Sequence, residues 1–236
     1  MKQYCILFLI PALSFAQLSD KTNKIYKKLS ESNRVESAGI GYAGERSSVF
    51  ELYSDLDKNA SDEEIEYMAY HGAPVVKTYV SRTFFERKLN GLDKLFSYYL
   101  KHNDSIEVKS GCVGFNSFLA DELYKNVFWE KDGLKSRIAD KKYVDSMRAL
   151  KYQDELLDQM DQREIKWTET ELDSVLMKFE QLVLNDSSSA KHLVELIAGV
   201  YIIKKKKRPE YYERLAYFEK KYNSEMIKKY LEFCGN

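Results

Sequence analysis

The amino-acid sequence predicts an all-α chain in which successive helices pack as antiparallel pairs, and three observations carry that expectation. Apolar residues recur at about 3.6-residue spacing: Leu172, Val175, Leu176, Phe179, Leu182 and Val183 form one stripe, and Leu193, Leu196, Ile197, Val200 and Ile203 a second. Helix breakers are scarce, with three prolines and ten glycines in 236 residues. The stretches between stripes are short, which folds each helix back on the one before it. With 44% hydrophobic and 31% charged residues the chain has the apolar content for one packed core, which excludes a disordered polypeptide. A formal net charge of zero excludes the basic excess of a chain devoted to nucleic acid.

Taken in order, the first segment stands apart from this pattern. Met1-Lys2 is a short positive start, Tyr4 to Ile10 an apolar run too short to span a bilayer, and Ser14-Phe15-Ala16 places small residues at cleavage positions. Residues 1–16 therefore read as a signal peptide cleaved before Gln17, making the mature protein exported, periplasmic or secreted, with no transmembrane segment. Cleavage leaves two thiols, Cys112 and Cys234. Nothing in the sequence brings them together, so pairing stays open beside two separately buried thiols.

Eight to eleven helices fit the chain, at about 20–34, 47–58, 62–71, 74–89, 91–102, 117–130, 141–165, 169–184, 188–207, 210–222 and 225–233. Ser61 with Glu64, and Thr168 with Glu171, have capping-box spacing. Ser224 is a further N-cap. Pro74 and Pro209 fall at helix starts, where a missing N–H costs least. Strand-like alternation is confined to a stretch near Ile106 to Val113.

One helix pair is more specific. Ile65, Met68 and Ala69 mark a first helix, His71-Gly72-Ala73 breaks it, and Pro74-Val75-Val76-Lys77 opens a second that carries Tyr79, Val80 and Phe84. Residues 61–89 resemble a HEAT-type repeat, with Lys77 where Arg is usual, Val80 where Ala is usual and Phe84 where Leu is usual. More loosely, the Gly39 to Gly44 turn, Pro74 to Arg87 and Ser110-Gly111-Cys112 look like exported bacterial proteins of unassigned function. The resemblance implies a right-handed α-α superhelix, either a HEAT-like solenoid or an irregular array, with no established catalytic residues. It divides the domain 17–236 into a HEAT-like half at 17–140 and a helical C-terminal half at 141–236. A stack of helix pairs leaves a continuous surface of the kind that binds other macromolecules.

Charge is uneven along the chain. Residues 45–66 hold eight acidic side chains against two basic, and residues 204–236 ten basic against five acidic. In a stack this would give one acidic and one basic end; the plainer reading is two ordinary solvated faces. The run Lys204, Lys205, Lys206, Lys207 and Arg208 is the candidate binding patch, suited to an anionic partner or lipid headgroups. Its place after an apolar helix also suits complementing the helix dipole.

Motifs for chemistry are weak. Gly39-Ile40-Gly41-Tyr42-Ala43-Gly44 matches the dinucleotide-binding glycine string, but the polar stretch from Ser30 to Ser37 is not the buried strand that motif needs, so a flexible turn is expected. His71, His102 and His192 are dispersed and read as solvated helical residues, with no metal site. There is no GxSxG elbow, Ser188 and Lys191 lack the companion motifs of the serine penicillin-recognising enzymes, and no His or basic residue adjoins Cys112. The 18 tyrosines read mainly as packing residues with hydroxyls at the rim. These readings lead to a non-catalytic binding or scaffolding module of the bacterial envelope with a protein partner and no cofactor. A peripheral protein of anionic membranes and an enzyme of unrecognised type are the alternatives.

Overall fold

The computed structural model describes residues 18–161 and 164–235, so the expected leader and its cleavage point before Gln17 lie outside the described residues. Ser19 opens the first helix, α1 (Asp20–Ser30), by accepting from the Thr22 N–H, and α1 ends four residues before the expected boundary. The chain then extends as β1 (Arg34–Ile40), turns, and returns as β2 (Glu45–Arg46). Four helices follow: α2 (Ser48–Asn59), α3 (Asp62–His71), α4 (Pro74–Glu86) and α5 (Leu92–Lys101). A hairpin of β3 (Ser105–Gly111) and β4 (Val113–Phe118) leads into the long helix α6 (Leu119–Ala149). The short α7 (Glu155–Asp161) precedes α8 (Glu169–Leu184), α9 (Lys191–Ile203), a 3₁₀ turn at Pro209–Tyr211, α10 (Tyr212–Tyr222) and α11 (Glu225–Gly235).

The chain is thus mostly helical, but it is not all-α. Four strands form one sheet in the order β2-β1-β3-β4, with β1 and β3 parallel and the outer pairs antiparallel. Alternation from Ile106 to Val113 marked one of these strands, β3, in the sequence, and missed β4, whose end had been expected to open a helix at 117. β1 escaped notice because one of its faces carries Arg34 and Glu36, and a polar face made for a buried contact looks like solvated loop. Glu36 is buried and accepts from the Ser47 hydroxyl and Arg34 Nε, both at 2.6 Å. The Tyr79 hydroxyl accepts from the Glu36 N–H and donates to its carbonyl, each at 2.7 Å, which bolts the sheet to α4.

The helix pair expected at residues 61–89 forms as α3 and α4. Ser61 and Glu64 make a reciprocal capping box, and Glu64 also accepts from the Ser19 N–H and the Thr22 hydroxyl, tying α1 to α3. Gly72 is required between the helices, since a Cβ there would sit 2.6 Å from the Met68 carbonyl oxygen. Pro74 occupies the first turn of α4 as expected. The second capping box, Thr168 with Glu171, starts α8.

Helices expected at 117–130 and 141–165 are instead one 31-residue α6 and the seven-residue α7. Nothing between Leu119 and Ala149 breaks a helix except Gly133, which α6 absorbs, and the turn comes where Lys151 takes φ 64°. α6 packs against α4, α5, α8 and α9 and so serves as a central spine. One core runs from Leu29 to Tyr230 and includes Phe96 stacked on Phe179 at 3.9 Å, joining α5 to α8. Burial of these side chains is the main stabilising term.

Candidate functional site

In the basic run Lys204 to Lys207 are exposed and Arg208 is half-buried, and three of the five also meet protein groups. α9 ends at Ile203 rather than 207, because Lys204 closes the last turn and Lys205 takes φ 49°. Lys204 pairs with Asp132 and lies 6.0 Å over the Trp129 ring. Lys207 sits 5.4 Å over Phe233. Arg208 is drawn inward: its N–H donates to the Tyr230 hydroxyl at 2.9 Å, and its guanidinium donates to the Tyr211 hydroxyl at 3.0 Å. Its Nε is 2.7 Å from Glu210 Oε1 in a geometry that makes an ion pair but no hydrogen bond. Lys205 and Lys206 are exposed, with backbone N–H groups that close the end of α9.

Arg208 borders a buried polar knot invisible in the sequence. Glu180 on α8 is 1% exposed and accepts from three tyrosine hydroxyls: Tyr124 at 2.9 Å, Tyr201 at 2.6 Å and Tyr211 at 2.7 Å. Burial, reinforced by the Glu180 carboxylate, pushes all three phenols above their ordinary range. These hydroxyls therefore point into the core and not to the rim. The knot joins α6, α8, α9 and the 3₁₀ turn.

The glycine string follows a strand after all, since β1 runs through Gly39 and Ile40. It then makes a hairpin: Gly41 (φ 72°) and Gly44 (φ 67°) turn the chain so that Gly39 faces Arg46 and Ile40 faces Glu45. The helix start is already capped, because the Ser47 hydroxyl accepts from the Phe50 N–H. A phosphate cradle needs uncapped N–H groups directly after the glycines. Among the described residues Cys112 and Cys234 are free thiols; Cys112 is exposed at the β3–β4 turn, contrary to the expected burial, because a hairpin tip projects from the sheet, and Cys234 is half-buried.

His192 is not a merely solvated helical residue. Its Nδ1 lies 2.9 Å from Asp121 Oδ2, and its ring stacks on Phe118 at 3.9 Å. It lines a pocket of about 240 Å³ together with Asn103 and Ser188. The Ser188 hydroxyl donates to Asp186 Oδ1 at 2.7 Å, which commits it away from the imidazole as a nucleophile. Asp121 and His192 are 71 residues apart, so no local spacing announces the pair. No group of three or more His, Cys, Asp or Glu side chains converges to hold a metal among the described residues.

Two larger features offer surfaces for recognition. The first is a cleft of about 630 Å³ between α4, α6 and the connection leading to α8. Its charged walls are pre-paired: Arg82 with Glu86 at 2.7 Å, Arg137 with Glu130 at 2.6 Å, and Lys166 with Glu164 at 3.8 Å. Trp167 contributes a ring stacked on Phe85 at 4.8 Å, and Trp129, 54% exposed, contributes one that Lys204 Nζ overlies at 6.0 Å.

The second is an arm formed by the end of α6 and by α7. Its buried residues, Val144 and Leu157, lie apart from the main core. Arg148 staples it by pairing with Asp158 and Asp161. Five of the fifteen exposed large apolar residues among the described residues fall within residues 138–156: Ile138, Tyr143, Leu150, Tyr152 and Leu156. Comparisons with family models, curated proteins and solved structures gave no match.

Proposed function

We propose that this chain is a non-catalytic binding module, exported to the bacterial envelope, that docks a protein partner through the α6–α7 arm. The same reading has its helix pairs stacked in the right-handed sense of HEAT-type repeats. The carrying observation is the arm: Leu150, Tyr152 and Leu156 are 68%, 59% and 62% exposed on a short helical hairpin outside the main core. A seven-residue helix such as α7 gains little stability from its own hydrogen bonds, and exposed Leu and Tyr side chains cost solvation that a partner's surface would relieve. Aromatic anchors beside aliphatic ones are the composition of an interface centre.

The competing membrane reading has less support, because Lys204, Lys207 and Arg208 already face protein groups. None of the described helices is long and apolar enough to cross a bilayer. The test is a photo-crosslinker placed at Tyr152 in the native envelope. A discrete protein adduct that resists high salt and disappears in the L150S/Y152S/L156S variant supports the proposal. Failure to crosslink, or an adduct indifferent to those substitutions, removes it.

A further inference from the structure

β4 is the outer strand of the sheet, and its edge lacks the features that keep strand edges from pairing. Such edges are ordinarily short, charged, bulged or interrupted by proline. The opposite edge fits that rule, since β2 is only Glu45 and Arg46. β4 has six residues with no charge and no proline, and its register with β3 is unbroken from Ser105 opposite Phe118 to Ser110 opposite Val113. Val113 to Asn116 are all exposed, Val113 at 62% and Phe115 at 40%.

The ladder fixes which backbone groups face outward. The Leu119 N–H donates to the Asp104 carbonyl at 3.2 Å, and antiparallel residues alternate between bonding across the ladder and turning away from it. Val113, Phe115 and Ser117 therefore bond to β3, whereas Gly114 and Asn116 turn their N–H and C=O groups outward. Among the described residues no other element bonds to those groups. Side chains alternate too: Val113 and Phe115 share the face of buried Ile106 and Val108 but lie uncovered at its margin. Lys125 Nζ, tied to Glu122, lies 5.5 Å over the Phe115 ring and leaves that side chain 40% exposed. On the other face Lys109 is the partner of Gly114, which has no side chain to stand between Lys109 and a strand laid outside.

An edge of this kind is completed by a further strand, in which main-chain hydrogen bonds give affinity and alternate side chains give selectivity. A second copy of the chain is a poor occupant. Val113 and Phe115 are the exposed large apolar side chains of β4, and a stable interface between folded chains takes roughly 20–30 residues on each side. An extended peptide needs no such area, since its whole backbone is available to the edge. Lys109 beside Gly114 sets the charge that peptide should carry. We propose that the outer edge of β4 takes up an extended peptide as an added strand, with apolar side chains against Val113 and Phe115 and an acidic one opposite Gly114, within reach of Lys109.

The test is selection of a displayed random heptapeptide library on the full chain, followed by anisotropy titration of the best peptide with a fluorescent label. Selected sequences should alternate, with an acidic residue between two apolar ones. Amide exchange at Gly114 and Asn116 should be fast in the free chain and slow about tenfold or more on binding. Phe115→Ser should weaken binding about tenfold, and Lys109→Gln should remove the acidic preference. Asn116→Pro deletes an outward N–H while keeping the bonds to β3, so it should abolish binding. Circular dichroism checks each variant, and N-methylated peptides repeat the test on the unaltered chain: methylating one alternate set of amides should abolish binding, and the other set should spare it. Retention of no peptide above the Phe115→Ser background overturns the proposal. So does equal binding of both methylated peptides, or slow exchange at Gly114 and Asn116 before peptide is added, which would mean that the edge is already covered. This surface is separate from the arm, so the L150S/Y152S/L156S variant should bind peptide like the parent chain, and failure at either surface is read by itself.

Discussion

Replacing Glu180 by Ala should be among the most damaging single changes available, and its cost follows from the hydroxyls left behind. Three tyrosine O–H groups would lose their acceptor inside a core where Glu180 is 1% exposed. An unsatisfied buried donor costs about 1–3 kcal/mol, so three set an upper range of roughly 3–9 kcal/mol. Removing a buried carboxylate returns part of its desolvation penalty, and breaking such a site by deleting one partner typically costs about 3–5 kcal/mol. We expect that lower figure for Glu180→Ala. Glu180→Gln keeps an acceptor oxygen for Tyr124 and Tyr201 and loses mainly charge assistance, so about 1–2 kcal/mol is expected. Urea unfolding followed by far-ultraviolet circular dichroism measures both, as midpoint shifts at constant slope. Glu180→Ala within about 0.5 kcal/mol of the parent chain, or Glu180→Gln costing more than Glu180→Ala, would refute the reasoning.

Acid should destabilise the protein in a defined window. Burial raises the Glu36 and Glu64 carboxyls, but hydrogen bonds from Ser47 and Arg34, and from Ser19 and Ser61, outweigh it and hold both below 4.5. Lys88 and then Thr168 draw exposed Glu171 down to about 2. A carboxyl lower in the folded state stabilises fully above its unfolded value, so stability is expected to fall from pH 4.5 downward through the folded values. A Glu36→Gln, Glu64→Gln double variant should show a shallower pH slope in thermal melts; an unchanged slope contradicts the assignment. Cys112 should react with a thiol reagent in the native protein while Cys234 lags until denaturant is added, and simultaneous reaction would show that Cys234 is equally open. Anionic vesicles should gain at most roughly 2 kcal/mol, about thirtyfold, from Lys205 and Lys206, a gain abolished by K205Q/K206Q. Tighter binding lost only when Lys204, Lys207 and Arg208 are also neutralised would restore the membrane reading.

Helices were legible wherever their causes are local. In the α8 stripe Leu172, Leu176, Phe179 and Val183 are buried as the spacing requires, whereas Val175 is half-buried and Leu182 exposed; Ser61, Thr168 and Ser224 accept from helix N–H groups three residues on. Pro74 and Gly72 mark a break whose steric reason lies within a few residues. The length of α6 was misjudged because charged segments on a long helix and on two short ones look alike; packing on four neighbours keeps it continuous.

Sequence by itself determined the helical class, the caps and most of the buried stripes, because hydrogen bonds and side-chain periods within a dozen residues fix those. Only the tertiary structure decided the sheet, in which β1 pairs with a strand some seventy residues on, at Val35 with Val108. It alone decided that Arg208 turns inward to the Glu180 knot, that Asp121 holds His192, and that Trp129 and Trp167 share one cleft. Tyr124 reaches Glu180 across 56 residues. Contacts of that range are chosen by how whole helices pack, and a polar side chain gives no sign along the chain of whether its partner will be water or another helix.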